Sequence, residues 1–278
     1  MQLFLKRVLG RQVDRLSLMF LPNIQPDYSK LRVLDDEAWR RALRDELRAA
    51  EWNAADGKGS GPAIGKKPAG GPGGTLNRGD RRAIYALVRW LRPDCILEIG
   101  THLGSSTLCM AGALKQNVGP EGTPGRLVTV DVADVNDPQR GRWRKLGARH
   151  SPRDKIREIG MEPHVSFVTS DSIRFLRHCS ETFDFVFLDG SHAASWVYRE
   201  VQLAQRLLRP GAVILLHDFF PDERPLWPGR RPIPGPAMAI SRLQSERAPI
   251  QVSPLGELPW PTKEGTKVTS LALLGRAP

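Results

Sequence analysis

The stretch from Cys95 to Thr107, CILEIGTHLGSST, constrains the fold more than any other part of the chain. It opens with five residues that are apolar apart from Glu98, continues through Gly100 and Gly104, and leads into apolar residues at helical spacing. This order predicts a strand, a tight turn and a helix, the first unit of a parallel α/β sheet. Glycines let a backbone approach a ligand closely beside the amide groups of a helix N-terminus. Such a turn either binds a nucleotide-like ligand or is a plain tight turn, and the motif alone leaves both open.

Composition limits the class of protein. A chain of 278 residues fits one large domain, or one domain with an appendage. Its 41 Lys and Arg against 30 Asp and Glu give a net charge of +11, which favours an anionic partner or substrate over a cationic one, although a merely basic surface would give the same value. Cys95, Cys109 and Cys179 lack metal-ligand or redox spacing and are predicted to be reduced core residues. Without a span of about 18 apolar residues or a signal-peptide cleavage site, we expect a cytoplasmic protein.

Residues 1–75 are expected to form an N-terminal helical extension. Residues 2–20 place apolar side chains between basic ones, which predicts a surface helix that packs on the domain or joins two copies in a homodimer, with membrane contact as the alternative. Residues 35–52 open with acids and continue with Arg, Leu and Ala, a pattern typical of a helix. Residues 57–74 are rich in Gly and Pro and are predicted to be a linker or flap.

Residues 76–278 alternate between predicted helices and strands, so we expect one α/β domain there. Asn77 is predicted to cap a helix that ends before Pro93. The last two predicted strands are joined by a Pro- and Gly-rich segment without a helix, which indicates an antiparallel pair. The predicted strands are residues 95–99, 126–131, 165–169, 183–189, 212–217, 250–253 and 268–274.

Acidic residues fall at the carboxyl ends of five successive predicted strands, where open parallel sheets bind their ligands. They are Glu98, Asp131, Asp171, Asp189 and the pair His217-Asp218. One such acid is easily a turn or cap residue, but turn chemistry does not account for five in register along one edge. An acid at the end of the second strand can accept both hydrogen bonds of a ribose diol.

Taken in order, these motifs resemble those of the class I S-adenosylmethionine-dependent methyltransferases. The resemblance covers about residues 76–278 and implies a Rossmann-like seven-stranded sheet, mostly parallel with an antiparallel C-terminal strand. The first motif has the variant form found in catechol O-methyltransferase-like enzymes. The matching segments are Glu98–Thr107 for the first motif, Val128–Asp131 for the ribose, Thr169–Ser172 for the adenine side, Phe187–His192 beside the reacting groups, and Leu208–Asp218 for the fifth strand.

The resemblance implies S-adenosylmethionine as the cofactor and gives residues to it. Asp131 would hold the ribose hydroxyls, and Asp189 would lie beside the methionine end. The residues that would shape the pocket around the turn are Glu98, Gly100, Thr101, Gly104 and Ser105, and those that would face the adenine are Asp171 and Ser172.

Methyl transfer to a hydroxyl needs a base, a metal, or both, because an alcohol is a poor nucleophile until it loses its proton. His192 takes the place of the catalytic lysine of catechol O-methyltransferases and is the predicted general base; a structural or capping histidine is the alternative. The resemblance implies that Asp189 and Asp218 bind Mg²⁺ or Mn²⁺. Phe219 stands where the catechol enzymes have an asparagine ligand, so His217 is a candidate third ligand, a second base or a substrate contact.

The acceptor is the least determined part of the prediction. Residues 140–157 carry a run of Arg and Lys that is either a solvated face or captures an anionic acceptor, and a Pro-rich loop with Arg224, Arg230 and Arg231 follows the fifth strand. We expect an O-methyltransferase that acts on a hydroxyl of a small molecule or sugar, with an anionic acceptor. The alternatives are an RNA methyltransferase, suggested by the basic charge, and a non-catalytic cofactor-binding regulatory protein.

Overall fold

A computed structural model describes residues 12–45, 76–118 and 122–277, and these form helices packed on a seven-stranded sheet. The strands are β1 (Cys95–Ile99), β2 (Arg126–Asp131), β3 (Val165–Thr169), β4 (Phe183–Leu188), β5 (Leu208–Leu216), β6 (Ile250–Pro254) and β7 (Ala272–Arg276). The helices with named bounds are α1 (Asp36–Asp45), α2 (Arg78–Leu91), α3 (Ser105–Gln116), α4 (Arg142–Lys145), α5 (Pro152–Glu158), α6 (Ser172–His178), α7 (Ala194–Ala204) and α8 (Gly235–Ser245).

The strand order is β3-β2-β1-β4-β5-β7-β6, and β1 to β5 all run parallel. Strand β7 lies antiparallel between β5 and β6. The predicted mostly parallel sheet with an antiparallel C-terminal strand is therefore confirmed. The order reverses beside β1, so the carboxyl ends of β1 and β4 flank the crevice where such sheets bind ligands.

Strand β1 lies in the middle of the sheet, and all five of its residues are buried. Cys95, Leu97 and Ile99 enter the core on one face, whereas Ile96 enters the core on the other, as the two-residue period of a strand requires. A strand covered on both faces needs apolar residues at successive positions, and this explains the unbroken run in the sequence. The one exception, Glu98, points into the protein at the end of the strand where the site is built.

The described part of the N-terminal extension packs on the same core as the sheet. Residues 12–19 are helical, and Leu18 and Leu31 are buried in the core on one face of the sheet. Trp39, from α1, is buried in the core on the other face. The predicted helix over 35–52 is described as far as residue 45, and the predicted linker over 57–74 lies outside the described residues. The two-domain division at residue 75 and the homodimer stay predictions.

Strand β5 begins at Leu208, four residues before the predicted start. The N-terminal segment pairs with this early part, since the amide of Gly211 donates to Lys30 O at 2.8 Å and Leu31 bridges Ala212. This pairing draws Arg209-Pro210-Gly211 into the strand, although the same three residues end a helix by their local chemistry. The sequence prediction was wrong here because the partner segment lies about 180 residues away in the chain.

The last strand also differs from its predicted bounds. It covers Ala272–Arg276 instead of 268–274, and Val268 instead forms an isolated bridge with Glu257. Asn77 caps α2 by accepting from the amide of Asp80 at 3.0 Å, as predicted. Among the described residues, no helix is long and apolar enough to cross a membrane.

Gly100 and Gly211 provide a matched pair for testing how tightly the ends of β1 and β4 are held together. Both have positive φ values, 102° and 84°, so an alanine is strained at either position. A Cβ on Gly100 would lie 2.2 Å from the carbonyl oxygen of Asp189, whereas a Cβ on Gly211 would meet open space. We expect Gly100→Ala to lower the free energy of unfolding by about 3 kcal/mol or more and Gly211→Ala by about 1–2 kcal/mol. Urea denaturation measures both, and equal losses would contradict the close packing of the two strand ends.

Candidate active site

Glu98 ties together the elements that form the glycine turn. Its carboxyl group is fully buried and accepts hydrogen bonds from the hydroxyls of Ser106 and of Thr107 (2.6 Å) in α3, and of Thr129 (2.6 Å) in β2. Burial raises the pKa of Glu98 to about 7, although the three donors act in the opposite direction. With no exposed surface, Glu98 can affect a ligand at the turn only by fixing the position of the turn.

The turn itself leaves the start of α3 open to a polar ligand. Gly104 is the N-cap residue in the left-handed conformation, with φ 70°, and no side chain caps the helix. A Cβ on Gly104 would lie 2.8 Å from the side chain of Pro152, so this glycine is also required by the packing of α5. The hydroxyl of Thr101 is buried and paired with that of Thr129 at 2.6 Å, and Ser105 opens the helix. The uncapped amides are where such folds bind polar groups.

Asp131 ends β2 and faces this turn. Its two carboxylate oxygens accept from the backbone amides of His102 at 2.9 Å and Ala133 at 3.0 Å. These bonds fix the direction of the carboxylate, and each oxygen keeps acceptor capacity for a further donor. The geometry is suited to a pair of vicinal hydroxyls, the role that the sequence predicts for Asp131.

The residues predicted to face an adenine already have protein partners. Asp171 caps α6 by accepting from the amide of Arg174 at 2.9 Å. The hydroxyl of Ser172 donates to Glu200 at 2.6 Å, and burial raises the pKa of Glu200 to about 7. Glu200 lines the cleft together with Asp189 and His192 but belongs to no motif, so the sequence analysis missed it.

His217 lies at the carboxyl end of β5 with a carboxylate facing each ring nitrogen. Its Nδ1 is 2.9 Å from Asp189 Oδ1 and 3.6 Å from Asp218 Oδ1, and its Nε2 is 3.5 Å from Asp80 Oδ2. The N–H bond at Nδ1 does not align with an acceptor, so the short contact with Asp189 is an ion pair and not a well-formed hydrogen bond. Asp80, in the first turn of α2, was not predicted, because an acid there is ordinary helix chemistry.

The charges in this group stabilise one another. Burial alone would lower the pKa of His217, but the Asp189 and Asp218 carboxylates outweigh it and hold the pKa well above its usual value. Burial likewise would raise the pKa of Asp218, yet the charge of His217 lowers it to about 2. At neutral pH, His217 is therefore a cation beside the ionised carboxylate of Asp218.

His192 is the exposed imidazole of the group. Its side chain is 40% exposed, compared with 14% for His217, and its Nε2 lies 3.6 Å from Asp218 Oδ2. Asp189, His192 and Asp218 offer three ligand atoms within 4.8 Å of one another. The structure thus brings the predicted catalytic and metal-binding residues to the ends of β4 and β5, beside the glycine turn. Gly100 joins the glycine turn to the end of β4, since its backbone lies directly against the backbone of Asp189.

Part of the basic run over residues 140–157 has structural roles. Lys155 donates to Leu103 O at 3.2 Å beneath the glycine turn, and Arg157 pairs with Glu162 at 2.7 Å. Arg153 lies over the ring of Phe167. Part of the run therefore stabilises the fold, and Arg142 also lies close enough to the turn to help burial lower the pKa of His102.

The chain is similar in sequence to known methyltransferases. A family model described as a methyltransferase domain matches residues 97–219. The rhamnosyl O-methyltransferase of Mycobacterium tuberculosis is 28% identical over 165 residues, which are 56% of this chain and 57% of that protein. The catechol O-methyltransferase of Niastella koreensis is 28% identical over 164 residues, 57% of this chain and 64% of that protein. The chain thus spans somewhat more than half the length of these relatives.

A solved structure shows the same fold. The O-methyltransferase from Bacillus cereus in complex with SAH superposes with a TM-score of 0.51 at 19% identity, covering 88% of this chain and 100% of that one. The fold, the motif order and the matched methyltransferase domain make this chain similar to the class I S-adenosylmethionine-dependent methyltransferases. Within that class, its similarity is to O-methyltransferases of sugars and catechols.

Proposed function

We propose that this protein transfers the methyl group of S-adenosylmethionine to a hydroxyl oxygen of a small molecule or sugar. The observation that carries the proposal is the exposed imidazole of His192, held beside Asp218 next to the glycine turn. Oxygen as the acceptor atom is supported by the similarity to rhamnosyl and catechol O-methyltransferases. An anionic acceptor is supported by the net charge of +11 and by Arg142 near the turn.

The residues of the β1 and β2 ends fit the cofactor. Asp131 would accept from the ribose hydroxyls, and the uncapped N-terminus of α3 would face its polar groups. Asp171 and Ser172 would border the adenine, although the Ser172 hydroxyl is directed at Glu200. When bound, S-adenosylmethionine supplies a methyl group on a positively charged sulfur.

In the proposed reaction the acceptor oxygen forms a bond to the methyl carbon while the carbon–sulfur bond breaks. His192 directs Nε2–H towards the Asp218 carboxylate, and its other ring nitrogen, Nδ1, takes the hydroxyl proton, which makes the oxygen a competent nucleophile. Asp218, 3.6 Å away, stabilises the resulting imidazolium. His217 already carries a proton and so is a positioning residue that holds Asp189 and Asp218.

Divalent-metal assistance is the second form of the proposal. Asp189, Asp218 and His192 would hold Mg²⁺ or Mn²⁺, since two carboxylates and an imidazole form a usable donor set. His192 here takes the place of His217, the third ligand that the sequence analysis suggested, because His217 is not among the three residues whose ligand atoms cluster. A bound cation would stabilise the alkoxide form of the acceptor. An imidazole that ligates a cation through one nitrogen carries its proton on the other, so His192 could not then act as the base, and His217 competes for the carboxylate oxygens. The two forms therefore exclude each other at His192.

Asp131→Asn tests the cofactor site. The amide keeps the size of the side chain but loses the charge-assisted hydrogen bonds to the ribose, so we expect the Kd for S-adenosylmethionine to rise about tenfold to a hundredfold. Asp134→Asn is the matched control, because Asp134 is an acid in the adjoining turn that accepts from the amide of Asn136. Isothermal titration calorimetry measures both, and an unchanged Kd in Asp131→Asn would rule out its role at the ribose.

His192→Gln tests the base. Labelled S-adenosylmethionine and a panel of rhamnosides and catechols would identify an accepted acceptor. With it, the variant should lose about 10²–10⁴-fold in kcat while its Kd for the cofactor stays unchanged. His178→Gln, on an exposed histidine at the end of α6, is the control. Full turnover in His192→Gln at neutral pH would exclude the base, and transfer to none of these acceptors would count against the substrate class.

Chelation separates the two forms of the proposal. In the metal-free form, exhaustive treatment with EDTA leaves kcat unchanged, because a histidine base needs no cation. In the metal-assisted form, activity is lost and returns when Mg²⁺ or Mn²⁺ is added. Methyl transfer measured before and after treatment decides between them. Asp218→Asn should abolish the metal response if the carboxylate is a ligand.

A further inference from the structure

Two adjacent hydroxyl residues, Thr269 and Ser270, lie immediately before β7. Residues 268–274 were predicted to be a strand, but β7 begins at Ala272, so both residues lie outside it. Both are buried, with 3% and 1% of their surface exposed. We call them the hydroxyl pair, and their partners are two of the carboxylates around His217.

Ser270 holds Asp218 through both its side chain and its backbone. Its hydroxyl donates to Asp218 Oδ1 at 3.3 Å, and its carbonyl oxygen accepts from the amide of Phe219 at 2.8 Å. Asp218 has a φ of 52°, in the left-handed region that a residue with a Cβ adopts only at a cost. Such a conformation persists where the surrounding contacts determine it, and the two bonds to Ser270 supply that constraint.

The bond at Oδ1 determines which oxygen of Asp218 faces the exposed imidazole. Oδ1 accepts from the Ser270 hydroxyl and lies 3.6 Å from His217 Nδ1. The other oxygen, Oδ2, lies 3.6 Å from His192 Nε2. The Asp218 carboxylate is therefore presented to His192 in one orientation.

Thr269 holds the carboxylate on the other side of His217. Its hydroxyl donates to Asp80 Oδ1 at 2.5 Å, and Asp80, which is 1% exposed, also accepts from the side chain of Asn77. Asp80 Oδ2 lies 3.5 Å from His217 Nε2. The hydroxyl pair thus fixes one carboxylate at each ring nitrogen of a single imidazole.

We propose that Thr269 and Ser270 are positioning residues for the methyl transfer. They hold a carboxylate on each side of His217 and thereby direct Asp218 Oδ2 towards His192. Neither hydroxyl needs to contact the cofactor or the acceptor. The inference rests on the proposed function, because it is transfer to a hydroxyl oxygen that requires an aligned His192.

Ser270→Ala tests the bond to Asp218, because it removes a single oxygen atom. With the rhamnoside or catechol that the wild type methylates, we expect kcat to fall about tenfold. The KM for that acceptor and the Kd for S-adenosylmethionine should stay at their wild-type values, because alignment of the base acts on the transition state.

Ser253→Ala is the matched control. Ser253, in β6, is 3% exposed and donates to Asp36 at 2.6 Å, so this variant loses the same kind of buried bond outside the site. Its thermal midpoint should fall at least as far as that of Ser270→Ala, while its kcat stays unchanged.

Two substitutions at Thr269 separate positioning from packing. Thr269→Val keeps the shape of the side chain and loses the hydroxyl, whereas Thr269→Ser keeps the hydroxyl and loses a methyl group. We expect Thr269→Val to lower kcat about tenfold and Thr269→Ser to restore it to the wild-type value. A residue that only fills space gives the opposite order, and that order would overturn the role of Thr269.

Nitrogen-15 NMR of the histidine rings gives a measurement that needs no turnover. The His217 signal should shift in Ser270→Ala and in Thr269→Val, the His192 signal should shift in Ser270→Ala, and both should stay in place in Ser253→Ala. The two signals are assigned by their loss in His192→Gln and His217→Gln, and circular dichroism verifies that each variant folds.

Unshifted ring signals in Ser270→Ala and Thr269→Val, or a kcat in both equal to that of Ser253→Ala, would overturn the inference. If the wild type methylates none of the acceptors, the proposed function fails. The ring signals then decide by themselves whether the hydroxyl pair positions the two histidines.

Discussion

The buried carboxyl group of Glu98 is the interaction on which the carboxyl edge of the sheet depends. A carboxyl group without exposed surface is costly unless its oxygens are satisfied, and here three hydroxyls from α3 and β2 satisfy them. Those bonds fix the angle between β1, β2 and α3, and hence the turn between them. Burial also raises the pKa of Glu98 to about 7. In the unfolded chain this carboxyl group ionises at its ordinary pKa of 4.5, whereas in the folded protein it stays protonated until about pH 7. The free energy of unfolding therefore falls as the pH rises from 4.5 to about 7.

A second constraint joins the ends of β1 and β2, around the glycine turn, to the ends of β4 and β5. Gly100 lies so close to the backbone of Asp189 that no Cβ fits between them, and the amide of Asp189 donates to Ile99 O at 2.9 Å. The position of Asp189 is thereby fixed relative to the glycine turn. His217 in turn links the end of β4 to the end of β5, because it contacts both Asp189 and Asp218. A displacement at Glu98 would thus reach His192 through a chain of short contacts.

The sequence predicted correctly those features that depend only on residues close together in the chain. The apolar run of β1, Gly100 and Gly104, and the Asn77 cap need only neighbouring residues, and they were predicted correctly. The beginning of β5 could not be predicted because residues 30–32 complete it across the fold. Asp80 and Glu200 were missed for the same physical reason. An acid in a first helical turn or within an amphipathic helix is common, and only tertiary packing brings these two to the site.

The charges at the ends of β4 and β5 favour His192 over His217 as the proposed base. His217 is enclosed by carboxylates, and its positive charge lowers the pKa of the largely buried Asp218 carboxyl to about 2. Removing that proton would leave two anions without their cation, so His217 is a poor base despite its position. His192 contacts Asp218 through Nε2 and is otherwise exposed, so in the proposed reaction Nδ1 would receive the proton while Asp218 stabilises the imidazolium from the other side. The sequence pattern of two histidines and two aspartates thus divides into a fixed ion cluster and one exposed imidazole.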